Sequence, residues 1–225
     1  MSENNFYKWF EEIFPKLGVR QESFRKIFKY LDKLPDPIII VETGCLRIKD
    51  NFNGDGQSTL LFDKYTQFRG NGAKVHTVDI DPKSTKVCSE VVSKNVDIAT
   101  EDSIKYLNKL TNKFYSENKE VSFFYLDSFD VDWKSPEQSC QHHLKELVSI
   151  KKILKPGTLV VVDDSPIAGY LQQSKKIEGA LDFVAFGPVP HPTISGKGSL
   201  IHEYANQTGA KLLFSNYQSG WIGFN

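Results

Sequence analysis

Five carboxylates fall where apolar runs of this 225-residue sequence stop. Glu42 follows residues 38–41 (IIIV), Asp79 closes residues 74–79 (KVHTVD), Asp127 follows FFYL, and Asp163-Asp164 follow TLVVV. Runs rich in β-branched and aromatic residues without polar alternation suit strands of a parallel sheet covered on both faces. Each carboxylate therefore belongs at the carboxyl end of a strand, on the rim where α/β sheets bind ligands. Carboxylates are costly to bury. Four strand ends bearing them on one rim call for cationic or polyhydroxylated partners.

The neighbouring residues narrow the chemistry. Glu42-Thr43-Gly44-Cys45 opens a polar, glycine-rich loop that runs through Gly54 and Gly56 to Ser58. Glycine lets the backbone turn sharply and approach a ligand closely. Either Ser58 or Thr59 suits the N-cap of the helix that follows, giving strand, loop, helix. The two oxygens of Asp79 match a ribose diol, as at the second strand of nucleotide-binding sheets. Asp81, before Pro82, fits a helix start better. Asp102 or Ser103 begins a further helix after a short strand at 96–100, and an oxygen there can also meet an adenine amino group.

The elements that must hold these groups alternate strand and helix. Strands are expected at 38–41, 74–80, 96–100, 121–126 and 158–162, with helices at about 84–94, from 103, and at 136–154. The last should turn Leu144, Leu147, Val148 and Ile150 inward, leaving His142 and His143 facing solvent. His76 reads as a core histidine. Residues 169–180 suggest a short helix within a loose segment rich in proline and glycine, and 200–206 another helix. Residues 211–217 and 220–224 form a terminal hairpin. Ahead of the sheet, residues 1–36 make a helical cap belonging to the same domain as 37–225. Phe6, Trp9, Phe10, Ile13 and Phe14, then Phe24, Ile27, Phe28, Leu31 and Leu34, fall at helical spacing. These stripes cover one sheet face, or else form a lid or a homodimer contact.

Composition sets outer limits. Lys plus Arg balance Asp plus Glu at 28 each, so no broad field favours nucleic acid or an anionic membrane. Cys45, Cys88 and Cys140 are far apart, which suits a reduced, cytoplasmic protein rather than a zinc or disulfide framework. No apolar run reaches membrane-spanning length, and the N-terminus carries too many charges for a secretory signal.

From residue 38 to 224, these motifs resemble the class I S-adenosylmethionine-dependent methyltransferases. IIIVETGC with GDGQST, VHTVDIDP, FFYLDSFD and LKPGTLVVVDD carry the resemblance. It implies a doubly wound α/β fold with a seven-stranded sheet of order 3-2-1-4-5-7-6, the seventh strand antiparallel. It also implies S-adenosylmethionine held by Glu42, Thr43, Gly44, Cys45, Gly56, Ser58, Asp79, Asp102, Ser103 and Asp127. The loop between Gly44-Cys45 and Gln57-Ser58 is longer than the family's compact G-x-G. Within the family, Asp127, Asp163 and Asp164 look like the metal triad of catechol-type and macrolide-sugar O-methyltransferases, which implies magnesium. Asp130 stands where some relatives have a histidine base, so Asp127, Asp130 and Asp163 are the catalytic candidates, acting on a small-molecule hydroxyl. A nicotinamide oxidoreductase and a cofactor-binding protein without catalysis are the rival readings.

Overall fold

The computed structural model describes residues 3–55, 57–167, 171–173, 181–183 and 193–224. Five parallel strands come first: β1 (Ile39–Thr43), β2 (Lys74–Asp79), β3 (Val96–Thr100), β4 (Phe123–Leu126) and β5 (Leu159–Val162). A two-stranded ribbon follows, β6 (Leu171–Gln173) with β7 (Leu181–Phe183), and the chain closes with β8 (Lys211–Ser215) and β9 (Ser219–Ile222). The main sheet runs β3-β2-β1-β4-β5-β9-β8, with β9 antiparallel to both neighbours. Counting only its own strands, that is order 3-2-1-4-5-7-6 with the seventh reversed, as the resemblance implies.

Why the apolar runs do not alternate is visible in β1, where every residue is buried. Ile38 and Ile40 join one core, with Phe24 and Phe28 of α2 (Gln21–Leu31) and Phe62 of α3 (Ser58–Arg69). Ile39 and Val41 join the other, with Leu107 and Phe114 of α5 (Ser103–Ser116) and Leu147 of α6 (Glu137–Ile150). The smaller α4 (Pro82–Val91) starts where Asp81 accepts a hydrogen bond from the Lys83 amide. The last helix, α7 (Ser199–Thr208), precedes β8. No helix among the described residues is long and apolar enough to cross a membrane.

The cap is α1 (Glu3–Ile13), a 3₁₀ segment at Phe14–Arg20 that turns at Gly18, and α2. Its aromatic stripe points inward. Phe6 and Phe10 pack on Phe28, and Phe28 meets Phe62 and Tyr65.

Several expectations need correction. Neither Ser58 nor Thr59 caps α3. Gln57 occupies the N-cap position in a left-handed conformation without a side-chain cap, and the Thr59 hydroxyl is engaged by a buried carboxylate. Residues 169–180 were expected to be helical, yet Leu171–Gln173 is a strand, and 168–170 and 174–180 lie outside the described residues. Val148 is 58% exposed, since Ser139, Cys140, His143, Glu146, Leu147 and Ile150 take the inward face of α6. His143 is therefore fully buried, not solvent-facing, and His142 is half-buried.

A cap that is core and not accessory predicts a large penalty for thinning it. Phe28→Ala should lower unfolding free energy by about 3–5 kcal/mol, the usual scale for a buried phenylalanine. Urea melts check this, with an unchanged m-value showing that the fold survives.

Candidate functional site

The strand order reverses between β1 and β4, and Gly44 sits beside that switch point. Its φ is +78°, and an added Cβ would collide with the Asp127 carbonyl oxygen, so only glycine lets the β1 loop approach β4 this closely. The Gly44 amide donates to Val78, and the Asp127 amide to Thr43. Beside them, Glu42 is fully buried. Its Oε2 accepts hydrogen bonds from Thr59 Oγ1 and Thr77 Oγ1, each at 2.7 Å, while Oε1 has no partner. Burial pushes the Glu42 carboxyl up to about 7, against hydrogen bonds from Ser58, Thr59 and Thr77.

Asp79 closes β2 and ties down two loops. Its Oδ2 accepts from the Cys45 amide at 3.3 Å and its Oδ1 from the Asp81 amide at 2.8 Å. Each oxygen keeps a further lone pair for a ligand. The Cys45 thiol is buried, and its pKa is raised by the neighbouring Cys88 thiol and by burial. Asp102 caps α5 through the Lys105 amide at 2.9 Å. Ser103 is buried, its hydroxyl 3.0 Å from His142 Nε2 and 3.2 Å from Ser128 Oγ. Behind these, fully buried Glu146 accepts from Ser128 Oγ at 2.6 Å and Thr43 Oγ1 at 3.2 Å. Burial alone would raise Glu146, but His142, His143, Ser103 and Ser128 hold it below the usual range. Glu146 thus links the ends of β1 and β4 with the start of α5. Gly56 lies outside the described residues. Asp55 clamps the long loop by accepting from the Arg47 and Ile48 amides, and Arg47 bridges to exposed Asp130 at 2.9 Å.

Asp127, Asp163 and Asp164 come together as the sequence suggested, with carboxylate oxygens within 4.8 Å of one another. Their company was not foreseen. Lys197 is fully buried, bonds Asp127 Oδ1, and lies 3.0 Å from Asp164 Oδ2. Arg20 Nε reaches both oxygens of Asp163, at 3.1 and 2.9 Å, and its Nη2 lies 3.3 Å from Asp164 Oδ1. Tyr217 donates its hydroxyl to Asp164 Oδ1, with its ring under the Arg20 guanidinium. Burial disfavours the Lys197 ammonium, but Asp127, Asp164 and Asp163 outweigh that and raise its pKa. Asp164 would likewise rise on burial, yet Lys197, Arg20 and Tyr217 hold it low. Three carboxylates face two cations. Burial pushes Asp127, which carries the excess charge, well above the usual range despite Lys197.

Magnesium does not fit beside this lysine. It demands near-octahedral oxygen ligation and keeps several waters, whereas the oxygens here face an ammonium and a guanidinium. Sequence reasoning missed Arg20, Lys197, Tyr217 and Glu146. The lysine set between Gly196 and Gly198 was the one local irregularity that pointed to any of them.

A concavity of about 490 Å³ opens at the amino ends of β1, β4 and β5, near Pro35, Lys119 and Lys155, at the opposite end of the strands from these groups.

Glu42 predicts a pH dependence of stability. Its carboxyl titrates near 7 when folded against 4.5 in an unfolded chain, so the folded state holds a proton that the unfolded chain has released. Stability is lost as pH rises through that window, by about 3 kcal/mol in full. Urea melts at pH 5 and pH 8 should show the protein losing about 2.5 kcal/mol of this relative to Glu42→Gln. A constant difference would contradict a buried, unpaired Glu42.

No protein-family model and no curated protein matches the chain. Among solved structures, it is similar to human N-acetylserotonin methyltransferase in complex with SAM, at 14% identity and a TM-score of 0.47. The match covers 98% of this chain and 56% of that one, so the chain spans little more than half that protein's length. At this similarity neither activity nor ligand transfers to the chain.

Proposed function

We propose that this protein is an S-adenosylmethionine-dependent methyltransferase acting on a hydroxyl of a small molecule. One observation carries the reading. The β1 loop at Gly44, the unpartnered Glu42 Oε1, Asp79 at the end of β2 and Asp127 at the end of β4 all gather at the switch point of the sheet. A cofactor with a ribose diol and a cationic methionine end suits that set of carboxylates. Asp79 would hold the ribose, Thr43, Gly44 and Cys45 would border the methionine end, and Asp102 with the Ser103 turn would border the adenine. When bound, S-adenosylmethionine supplies an electrophilic methyl group on a cationic sulfur.

The chain's own contribution centres on Asp127. Lys197 holds its Oδ1, Oδ2 has no partner among the described residues, and the side chain is 20% exposed. This oxygen is placed to take the proton of an attacking hydroxyl when Asp127 is ionised, the form that burial opposes and Lys197 favours. Asp163, 1% exposed and gripped by Arg20, serves as an anchor in this reading. Asp130 serves through its bridge to Arg47.

A nicotinamide oxidoreductase is disfavoured by the sheet. The dinucleotide fold uses order 3-2-1-4-5-6, whereas here the reversed β9 lies between β5 and β8. Calorimetry should show S-adenosylmethionine binding and no NAD binding. Asp79→Asn should weaken cofactor binding about 10- to 150-fold, the scale of a hydrogen bond to a charged group. NAD binding without S-adenosylmethionine binding would overturn the reading.

Turnover on a panel of hydroxylated acceptors tests the chemistry. Asp127→Asn should cut kcat about 10²- to 10⁴-fold, the usual contribution of a general base. An absence of turnover on any acceptor, with cofactor binding intact, would favour a non-catalytic binding protein.

A further inference from the structure

The resemblance of the three aspartates to a metal triad meets a specific contradiction in Lys197, and the fold commits heavily to that residue. Gly196 adopts a φ of +62°, where an added Cβ would strike the Asp164 carbonyl oxygen. Gly198 leaves no room for a Cβ beside Ser165. The Lys197 amide donates to the Asp164 carbonyl at 3.1 Å, and the Cys140 thiol to the Gly196 carbonyl at 3.0 Å. The turn is thus pinned to β5 on one side and α6 on the other, with the lysine aimed between Asp127 and Asp164. A buried ammonium is stable only when paired. A divalent ion entering the cluster would have to sit against it or drive it from its partners.

We propose that Lys197 is a built-in substitute for a divalent cation, so that this rim works without metal and becomes a divalent-cation site only when the ammonium is removed. The ammonium neutralises Asp127 and Asp164 as an ion would, but it offers no open coordination positions. An acceptor therefore needs one nucleophilic hydroxyl and not a chelating pair. That consequence rests on the methyl-transfer reading, whereas the binding behaviour does not.

Manganese serves as the probe, with its free electron paramagnetic resonance signal measured during titration of the full chain. The parent protein should show no stoichiometric site. Lys197→Ala should bind one ion per chain at least tenfold more tightly, and Lys197→Ala with Asp127→Asn should lose that gain. Lys197→Met, which keeps most of the buried stem, replaces the alanine variant if circular dichroism shows the latter unfolded. If neither folds, the parent titration decides. Stoichiometric manganese binding by the parent that Asp127→Asn abolishes overturns the proposal, and its absence supports it. A folded, uncharged variant that gains no site also overturns it. Calorimetry with S-adenosylmethionine on the same samples keeps the two readings apart, because loss of cofactor binding counts against methyl transfer alone.

Discussion

Three carboxylates at the ends of two adjacent strands repel one another unless cations reach them, and much of the architecture around the rim answers that need. The cations come from distant parts of the chain. The 3₁₀ segment before α2 delivers Arg20, the glycine-flanked turn before α7 delivers Lys197, and the turn between β8 and β9 adds the Tyr217 hydroxyl. Arg20 is bidentate on Asp163 and stacks on Tyr217, two contacts that a lysine could not combine. The helical cap is for this reason part of the site as well as part of the core. With five formal charges in so small a region, removing any one leaves another buried and unpaired.

Behind the rim a second polar layer works by hydrogen bonding. Glu42 and Glu146 lie beneath it, both fully buried, yet they end in opposite protonation tendencies. Glu146 gathers donors on both oxygens, so its charge is well supported. On Glu42, Thr59 and Thr77 crowd onto one oxygen, and desolvation of the other prevails. The difference arises from how the donors are shared between the two oxygens of each carboxyl, and not from depth.

Much of this was legible in the sequence because it is local. Non-alternating apolar runs marked the central strands, the Asp81-Pro82 and Asp102-Ser103 pairs marked helix starts, and carboxylates closing each run marked the rim. Pairing at long range leaves no such trace. Arg20 and Asp163 are 143 residues apart, and Lys197 and Asp127 are 70 apart, with no periodicity to connect them. The Thr59 hydroxyl was misread for the same reason, since its partner Glu42 lies on another element. On α6 the apolar pattern pointed to Val148, but His143 and Glu146 face inward because the rim's polar layer needs them. Magnesium followed from the three aspartates taken alone, and Lys197 changes what they mean.

The separation between Arg20 and its partners bears on how the protein is made. A chain synthesised from its N-terminus exposes Arg20 long before β5 exists, and β9 must slot between β5 and a β8 made earlier. Strands β1 to β4 can pair while synthesis continues, but the charged rim cannot close until the β8–β9 hairpin has emerged. Until then Asp163 and Asp164 remain hydrated, where separate carboxylates cost nothing. The rim thus closes after the first strands have been made, and a nascent chain that has emerged only as far as β5 would carry a partial sheet and an open, water-filled rim.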